Sequence, residues 1–251
     1  MVVGADIRGE RDRCAREACG GGPPDAVVFD FDGVLVDSEP LHYRAFSDVL
    51  KPLGMSFTWA EYVERFIGFD DRDTFREAFA RAGRALDTDA LRRLVHRKAE
   101  AFAREVRSGG AAPYPGAAAL IGGLRPAVPL ALCSGALRRD IDPILESLGL
   151  SDAFLAIVTA DDVHASKPDP ASYRLALERL SAVAGRRLRP GRCVAIEDTP
   201  TGIRAALGAG LRAMGVATTH RPDALREADR VVRSLADVRP EDLALLLHET
   251  A

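Results

Sequence analysis

AVVFDFDGVLVDSEPLHYRAF, residues 26–46, drives four apolar positions into Asp30, repeats the acid at Asp32, turns at Gly33 and meets a third acid, Asp37, after a second apolar run. A short apolar run bounded by a glycine turn is the pattern of a strand buried on both faces. Such a strand has no packing use for two carboxylates at its end, so the pair asks for a chemical reason.

Outward from this stretch, short apolar runs alternate with helical patterns. Further strands are expected at 129–134 (PLALCS), 156–160 (AIVTA), 192–198 (RCVAIED), 212–216 (RAMGV) and 230–234 (RVVRS). Amphipathic segments such as RRDIDPILESLG and PASYRLALERLSAVAG lie between them. Strands alternating with helices predict an α/β fold, a Rossmann-like, doubly wound parallel sheet with helices on both faces. The gap between the first strand and the strand at 129 breaks this rhythm and reads as several helices. In LRRLVHRKAEAFAREV, Leu91, Leu94, Val95, Phe102 and Val106 share one helical stripe. The expected organisation is therefore a flexible N-terminal tail over 1–24, a catalytic core over 25–39 and 113–251, and an inserted α-helical cap over 40–112.

Composition narrows the function. With 251 residues, 47% hydrophobic and 28% charged, the chain can bury a sizeable core. A formal charge of −3 gives no reason to expect nucleic acid or an anionic membrane as partner. No apolar run reaches membrane-spanning length, and residues 1–24 lack the layout of a signal peptide. Cys14, Cys19, Cys133 and Cys193 have no zinc spacing and are expected as reduced thiols of a cytoplasmic protein. Of the 34 basic residues only Lys51, Lys98 and Lys167 are lysines. A lysine kept in so arginine-rich a chain marks a place where arginine would not fit.

In open parallel sheets ligands bind at the carboxyl ends of the strands, near the point where strand order reverses. Asp30 and Asp32 close the first strand, Ser134 closes LALCS, Glu197 and Asp198 close CVAIED, and Lys167 in ASKPDP opens the helix after the strand at 156–160. Carboxylates gathered at one edge repel unless a cation sits among them. Magnesium suits such a set, since it takes oxygen ligands and shares them with phosphate. Ser134 and Lys167 beside the metal can neutralise a phosphoryl group. One aspartate is then free to attack phosphorus, forming an aspartyl-phosphate, while the other protonates the leaving oxygen and later activates water. Each element also has a plainer reading. DFDG can be an ordinary turn, Ser134 with Gly135 a helix cap, Glu197-Asp198 before Thr199 a cap for the helix at 201–209, and Lys167 a solvated charge. His42 reads equally as a surface residue or as a hinge residue near the mouth. The ordered set at successive strand ends favours chemistry over these.

The chain resembles the haloacid dehalogenase-like superfamily, in the branch with a small helical cap after the first strand, which includes beta-phosphoglucomutase and phosphoglycolate phosphatase. DFDGVLVDS, LCSGA, SKPDP and IEDTPTGIRAA match its four motifs in order, and the likeness covers about residues 25–235. The resemblance implies Asp30 as nucleophile and Asp32 as general acid/base. It also implies Ser134 and Gly135 as phosphate ligands, with Lys167 bridging nucleophile and phosphate. Magnesium is implied to be held by Asp30, Asp32 (through its carbonyl), Glu197 and Asp198. The dehalogenases lack the Asp32 carboxylate, so phosphoryl chemistry is implied here. A mutase of the beta-phosphoglucomutase type is the alternative, and LH at Leu41-His42 resembles it. The lysine and arginine that grip its second phosphate are replaced by Ile67 and Asp71, with Arg72 one residue off. Hydrolysis is favoured on that ground. His42 and Arg72 are the candidate substrate contacts. The expected substrate is a small phosphorylated metabolite, a sugar phosphate or a phosphoglycolate-like acid, acted on by a monomer or homodimer. A receiver-type signalling domain is disfavoured by the large insert and the C-terminal acidic pair, and a non-catalytic phospho-ligand binding protein by the retention of every key group.

Overall fold

The computed structural model describes residues 22–67, 69, 71–109 and 111–247. The expected tail therefore lies almost wholly outside the described residues, as do Cys14 and Cys19. A six-stranded parallel sheet forms the core. Its strands are β1 (Ala26–Phe29), β4 (Leu130–Cys133), β5 (Ala156–Val158), β6 (Cys193–Glu197), β7 (Arg212–Val216) and β8 (Arg230–Val232), in the order β5-β4-β1-β6-β7-β8. The chain builds outward from β1 on one side through β4 and β5, then crosses to the other side with β6. Order thus reverses about β1, whose neighbours are β4 and β6.

Alternation along β1 explains why both faces are covered. Val27 and Phe29 pack into one layer with Leu120, Leu124, Ile141 and Ile144, from helices α5 (Ala117–Leu124) and α6 (Arg138–Ser147). Ala26 and Val28 point the other way, against Tyr173, Ala176, Leu180 and Ala205, from α7 (Ala171–Ala184) and α8 (Pro200–Gly208). Every β1 residue is fully buried, as a central parallel strand requires. Five of the six strands end one or two residues short of the expected runs, β7 being the exception. Asp30, Ser134, Thr159 and Asp198 follow β1, β4, β5 and β6 directly, at the carboxyl edge of the sheet.

Between β1 and β4 lie α1 (Glu39–Leu50), α2 (Trp59–Arg65), α3 (Asp71–Arg81) and α4 (Thr88–Arg107). These helices share a hydrophobic cluster of their own, built on Phe46, Leu50, Tyr62, Phe66, Phe75, Leu91 and Leu94. A two-stranded antiparallel ladder at the foot of this insert, β2 (Val36–Asp37) with β3 (Ala112–Pro113), pairs Val36 with Pro113 and Asp37 with Ala112. The sequence pattern had no sign of it. A short C-terminal helix, α9 (Pro240–Leu245), follows β8. No helix among the described residues is long and apolar enough to cross a membrane.

The start of β1 is tied down by one buried carboxylate. Asp25 receives two bonds from the Arg189 guanidinium, at 2.9 and 3.0 Å, and its backbone N–H donates to the Arg192 carbonyl at 2.8 Å. Hydrogen bonding from Arg189, which outweighs the cost of burial, lowers the Asp25 pKa from 3.8 to about 2. The sign is that of a depressed acid: its stabilisation is complete above about pH 4 and is lost as pH falls toward 2. Because Arg189 is largely exposed, solvent screening limits this to about 1 kcal/mol. Asp25→Asn is expected to lose about that much at pH 6 in urea denaturation, with the gap to the unsubstituted chain closing between pH 4 and pH 2. A gap independent of pH would remove the ion pair as its cause.

Candidate active site

Above β1, β4 and β6 the turn residues converge on one ammonium. Lys167 Nζ donates to Asp30 Oδ1 at 2.5 Å, Glu197 Oε1 at 2.6 Å and the Cys133 carbonyl at 3.0 Å, so all three of its protons are used. Burial works against its charge, but Asp30 and Glu197 outweigh that and hold its pKa well above the ordinary value. An arginine, planar and longer, cannot place one nitrogen against three acceptors drawn from three strand ends. The rarity of lysine in the chain thus has a structural reason here.

Glu197 is fully buried and closely held. Its Oε1 also accepts from the Tyr173 hydroxyl at 2.8 Å, and its Oε2 from the Asp198 and Thr199 N–H groups and the Thr199 hydroxyl. Thr199 in turn caps α8 by accepting from the Gly202 N–H at 3.0 Å. The plain reading of this motif as a helix cap therefore holds for Thr199, alongside the acidic cluster. A Cβ on Gly202 would lie about 1.9 to 2.1 Å from the Glu197 carboxylate, so only glycine admits the acid there.

Asp198 is the open member. It is buried, its Oδ1 has no hydrogen-bond partner, and burial followed by the Glu197 charge pushes its pKa up to about 7. Burial likewise drives Asp30 well above the carboxylate range, with Lys167 opposing and Glu197 and Asp198 adding to the shift. Carboxylate oxygens of Asp30, Glu197 and Asp198 lie within 4.8 Å of one another. This donor set, all hard oxygen and more acidic than one lysine can neutralise, fits a magnesium-sized cation. The orphaned Asp198 oxygen is its plainest ligand. Glu197, whose two oxygens already accept five hydrogen bonds, has no lone pair free and would have to exchange one of these bonds for a cation.

Asp32 stands two residues beyond Asp30, half-buried, with the Ser38 hydroxyl donating to its Oδ1. Burial raises its pKa, while the Ser38 bond and the Lys167 and Lys98 charges resist the shift. Ser134 is buried directly after β4 and accepts the Ala136 N–H at 3.0 Å, with Gly135 exposed beside it. These two share the loop whose Cys133 carbonyl touches Lys167.

The insert adds a cation that motif reading missed. Lys98 is fully buried on α4 and donates to His42 Nδ1 at 2.7 Å, which assigns the neutral ring with Nδ1 as acceptor. Burial, then the Lys98 charge, lower the His42 pKa well below its ordinary value. The ammonium also pairs with Asp71 at 2.6 Å and sits 5.0 Å from the centres of the Phe46 and Phe102 rings. Two sequence signals pointed to it: lysine is rare here, and Leu94, Lys98 and Phe102 follow at four-residue steps along the buried stripe. His42 is thus a half-buried residue against α4, stacked on Phe102 at 4.3 Å. Arg72 is exposed on α3 and is not brought to the carboxylate cluster.

Residues 24–210 match the family model "haloacid dehalogenase-like hydrolase". The phosphoglycolate phosphatase of Rhodospirillum rubrum is 34% identical over 75% of this chain and 77% of its own. The fructose-1-phosphate phosphatase YqaB of Escherichia coli is 31% identical over 76% of this chain and 95% of its own. Among solved structures, CbbY from Rhodobacter sphaeroides in complex with phosphate superposes with a TM-score of 0.75 at 29% identity, covering 85% of this chain and 96% of that one. The chain belongs to the haloacid dehalogenase-like hydrolases. Within that family it is a phosphoric monoester hydrolase.

The acidic cluster depends on close packing beneath it. A Cβ on Gly33, whose φ is +81°, would lie 1.9 Å from Asp198 Oδ2 and 2.8 Å from the Thr219 hydroxyl. Gly33→Ala is expected to displace Asp198, cutting phosphatase kcat/KM on the order of 100-fold. Backbone strain should cost about 1–2 kcal/mol. Steady-state kinetics beside thermal melting checks this; full activity would show that Asp198 tolerates the shift.

Proposed function

We propose that the protein is a magnesium-dependent phosphatase that hydrolyses a small phosphorylated metabolite, a sugar phosphate or phosphoglycolate-like acid, through an aspartyl-phosphate on Asp30. The observation that carries this reading is the buried Lys167 ammonium shared by Asp30 and Glu197, with the unpartnered Asp198 oxygen beside them. Lys167 aims the Asp30 carboxyl and opposes the burial that raises its pKa, and its charge offsets that of an arriving phosphoryl group.

In the first step an Asp30 oxygen bonds to phosphorus as the bond from phosphorus to the ester oxygen breaks. Asp32 gives its proton to that departing oxygen, so the product leaves as a neutral alcohol. A raised pKa suits Asp32 to donate. In the second step Asp32, now a carboxylate, takes a proton from water as the water oxygen bonds to phosphorus. Inorganic phosphate leaves, and both aspartates return to their starting states. Ser134 and the N–H groups of the Gly135 loop receive phosphoryl oxygens. Magnesium, held by Asp30, Asp198, the Asp32 carbonyl and Glu197 in exchange for one of its hydrogen bonds, would supply positive charge against the phosphoryl oxygens. The helical insert serves as the cap: seated over the site, it keeps bulk water out while Asp32 is protonated.

Support for a phosphorylated carbohydrate or acid comes from relatives named for fructose 1-phosphate and phosphoglycolate. The mutase alternative requires the cap to hold a second phosphate, and the cap position concerned carries the acid Asp71.

Phosphate release from a panel of phosphomonoesters, with magnesium and with chelator, tests the reading. Release is expected only with magnesium, and Asp30→Asn should lower it at least a thousandfold. Acid quenching of the unsubstituted enzyme on radiolabelled substrate should trap label on the protein. Transfer of phosphate between positions of a sugar without release would overturn hydrolysis in favour of the mutase.

A further inference from the structure

Asp71 opens α3 on the insert and its side chain is 13% exposed. Its Oδ1 is taken by Lys98 at 2.6 Å. Its Oδ2 is buried and has no hydrogen-bond partner. The nearest further cation, Arg139 on α6, places Nη2 3.8 Å away, beyond hydrogen-bond reach. Arg139 follows the phosphate loop and belongs to the core, so Asp71 faces it from the insert across the line where α4 packs on α6. Asp140, buried next to Arg139, completes the wall. The cluster is close to the chemistry: Lys98 touches His42, whose backbone N–H donates to the Ser38 carbonyl, and the Ser38 hydroxyl donates to Asp32, the proposed leaving-group acid.

A buried acceptor left open is costly in a native protein unless something fills it. What fills this one must donate a hydrogen bond, which an ionised phosphate or carboxylate oxygen cannot do. Arg139 gives this oxygen no hydrogen bond, lying 3.8 Å from Asp71 and 3.9 Å from Asp140. A cation is not required either, because Lys98 neutralises Asp71. The fit is to a neutral hydroxyl.

We propose that Asp71 Oδ2 accepts a hydrogen bond from a hydroxyl of the leaving group, so that the enzyme selects phosphate monoesters of neutral polyhydroxylated alcohols. It disfavours sugar bisphosphates and phospho-carboxylates such as phosphoglycolate. This rests on the phosphatase reading above and narrows its substrate to the sugar phosphates. Asp71 gives specificity by both routes: it satisfies the hydroxyl, and its acceptor oxygen has no hydrogen bond to offer a second anion at the same spot.

The test measures kcat and KM for phosphate release, with magnesium, from a hexose monophosphate, a hexose bisphosphate, phosphoglycolate and p-nitrophenyl phosphate. The last has neither a hydroxyl nor a second anion on its leaving group and serves as internal reference. In the unsubstituted enzyme the hexose monophosphate should exceed the bisphosphate and phosphoglycolate at least tenfold in kcat/KM. In Asp71→Asn the ratio of hexose monophosphate to p-nitrophenyl phosphate should fall about tenfold to a hundredfold. The ratios for the two doubly anionic substrates to the same reference should rise. Asp71→Ser, which keeps a small polar group, checks that the ratios and not merely the fold have changed, with thermal melting of each variant alongside. The proposal is overturned if all ratios stay constant while activity falls in parallel, since Asp71 then acts only through Lys98. It is equally overturned if phosphoglycolate or the bisphosphate is the best substrate of the unsubstituted chain. Absence of release from every substrate, p-nitrophenyl phosphate included, would instead overturn the phosphatase reading beneath it.

Discussion

Two carboxylates and one ammonium, buried together at the carboxyl edge of the sheet, constrain nearly everything around them. An unpaired charge in such a place costs several kcal/mol, and removing one partner of a buried pair costs about 3–5. Asp30, Lys167 and Glu197 must therefore arrive together, and they come from β1, the loop before α7 and the end of β6. Their meeting demands that β1 lie beside β6, that β4 supply a carbonyl, and that Tyr173 and Thr199 satisfy the remaining lone pairs of Glu197. The Lys167 ammonium does not fully cancel the cluster. The leftover acidity, at Asp198, is what suits the edge to a cation.

The insert repeats the device at smaller scale. Lys98 is an ammonium on an otherwise apolar helix stripe, compensated by Asp71, by the His42 ring nitrogen and by two aromatic faces. Because its contacts come from α1, α3 and α4, it fixes these helices relative to one another. It also carries positive charge toward Asp32. The two retained lysines thus hold the two halves of the site, one at the sheet and one above it. The third, Lys51, is exposed at the end of α1.

Sheet and insert stand on different packing. The β1 side chains alternate between two layers of helices, and the four helices of the insert pack on each other through Phe46, Tyr62, Phe66 and Phe75. The β2–β3 ladder and the α4–α6 contact join the insert to what lies below. A specificity surface at that join can vary in residue type without disturbing either core, which is how one hydrolytic centre comes to serve different leaving groups.

The sequence by itself determined the alternation of strands and helices, the hundred-residue interruption after the first strand, and the acids, serine and lysine that gather above the sheet. These are legible because buried parallel strands are written as unbroken apolar runs, and because polar residues at the ends of such runs add nothing to the packing of the strand. Tertiary structure alone decided the rest. The β2–β3 ladder joins residues far apart in the chain through backbone bonds that leave no mark on side-chain pattern. Glu197 became a saturated anchor and Asp198 the open ligand only through Tyr173, Thr199 and the tight approaches of Gly33 and Gly202. Asp71, in sequence merely an acid where a mutase has a base, acquired its unpaired oxygen from the packing of α3 on α4 and of α4 against α6. Hydrogen-bond satisfaction depends on all neighbours at once, and that sum exists only after the chain has closed on itself.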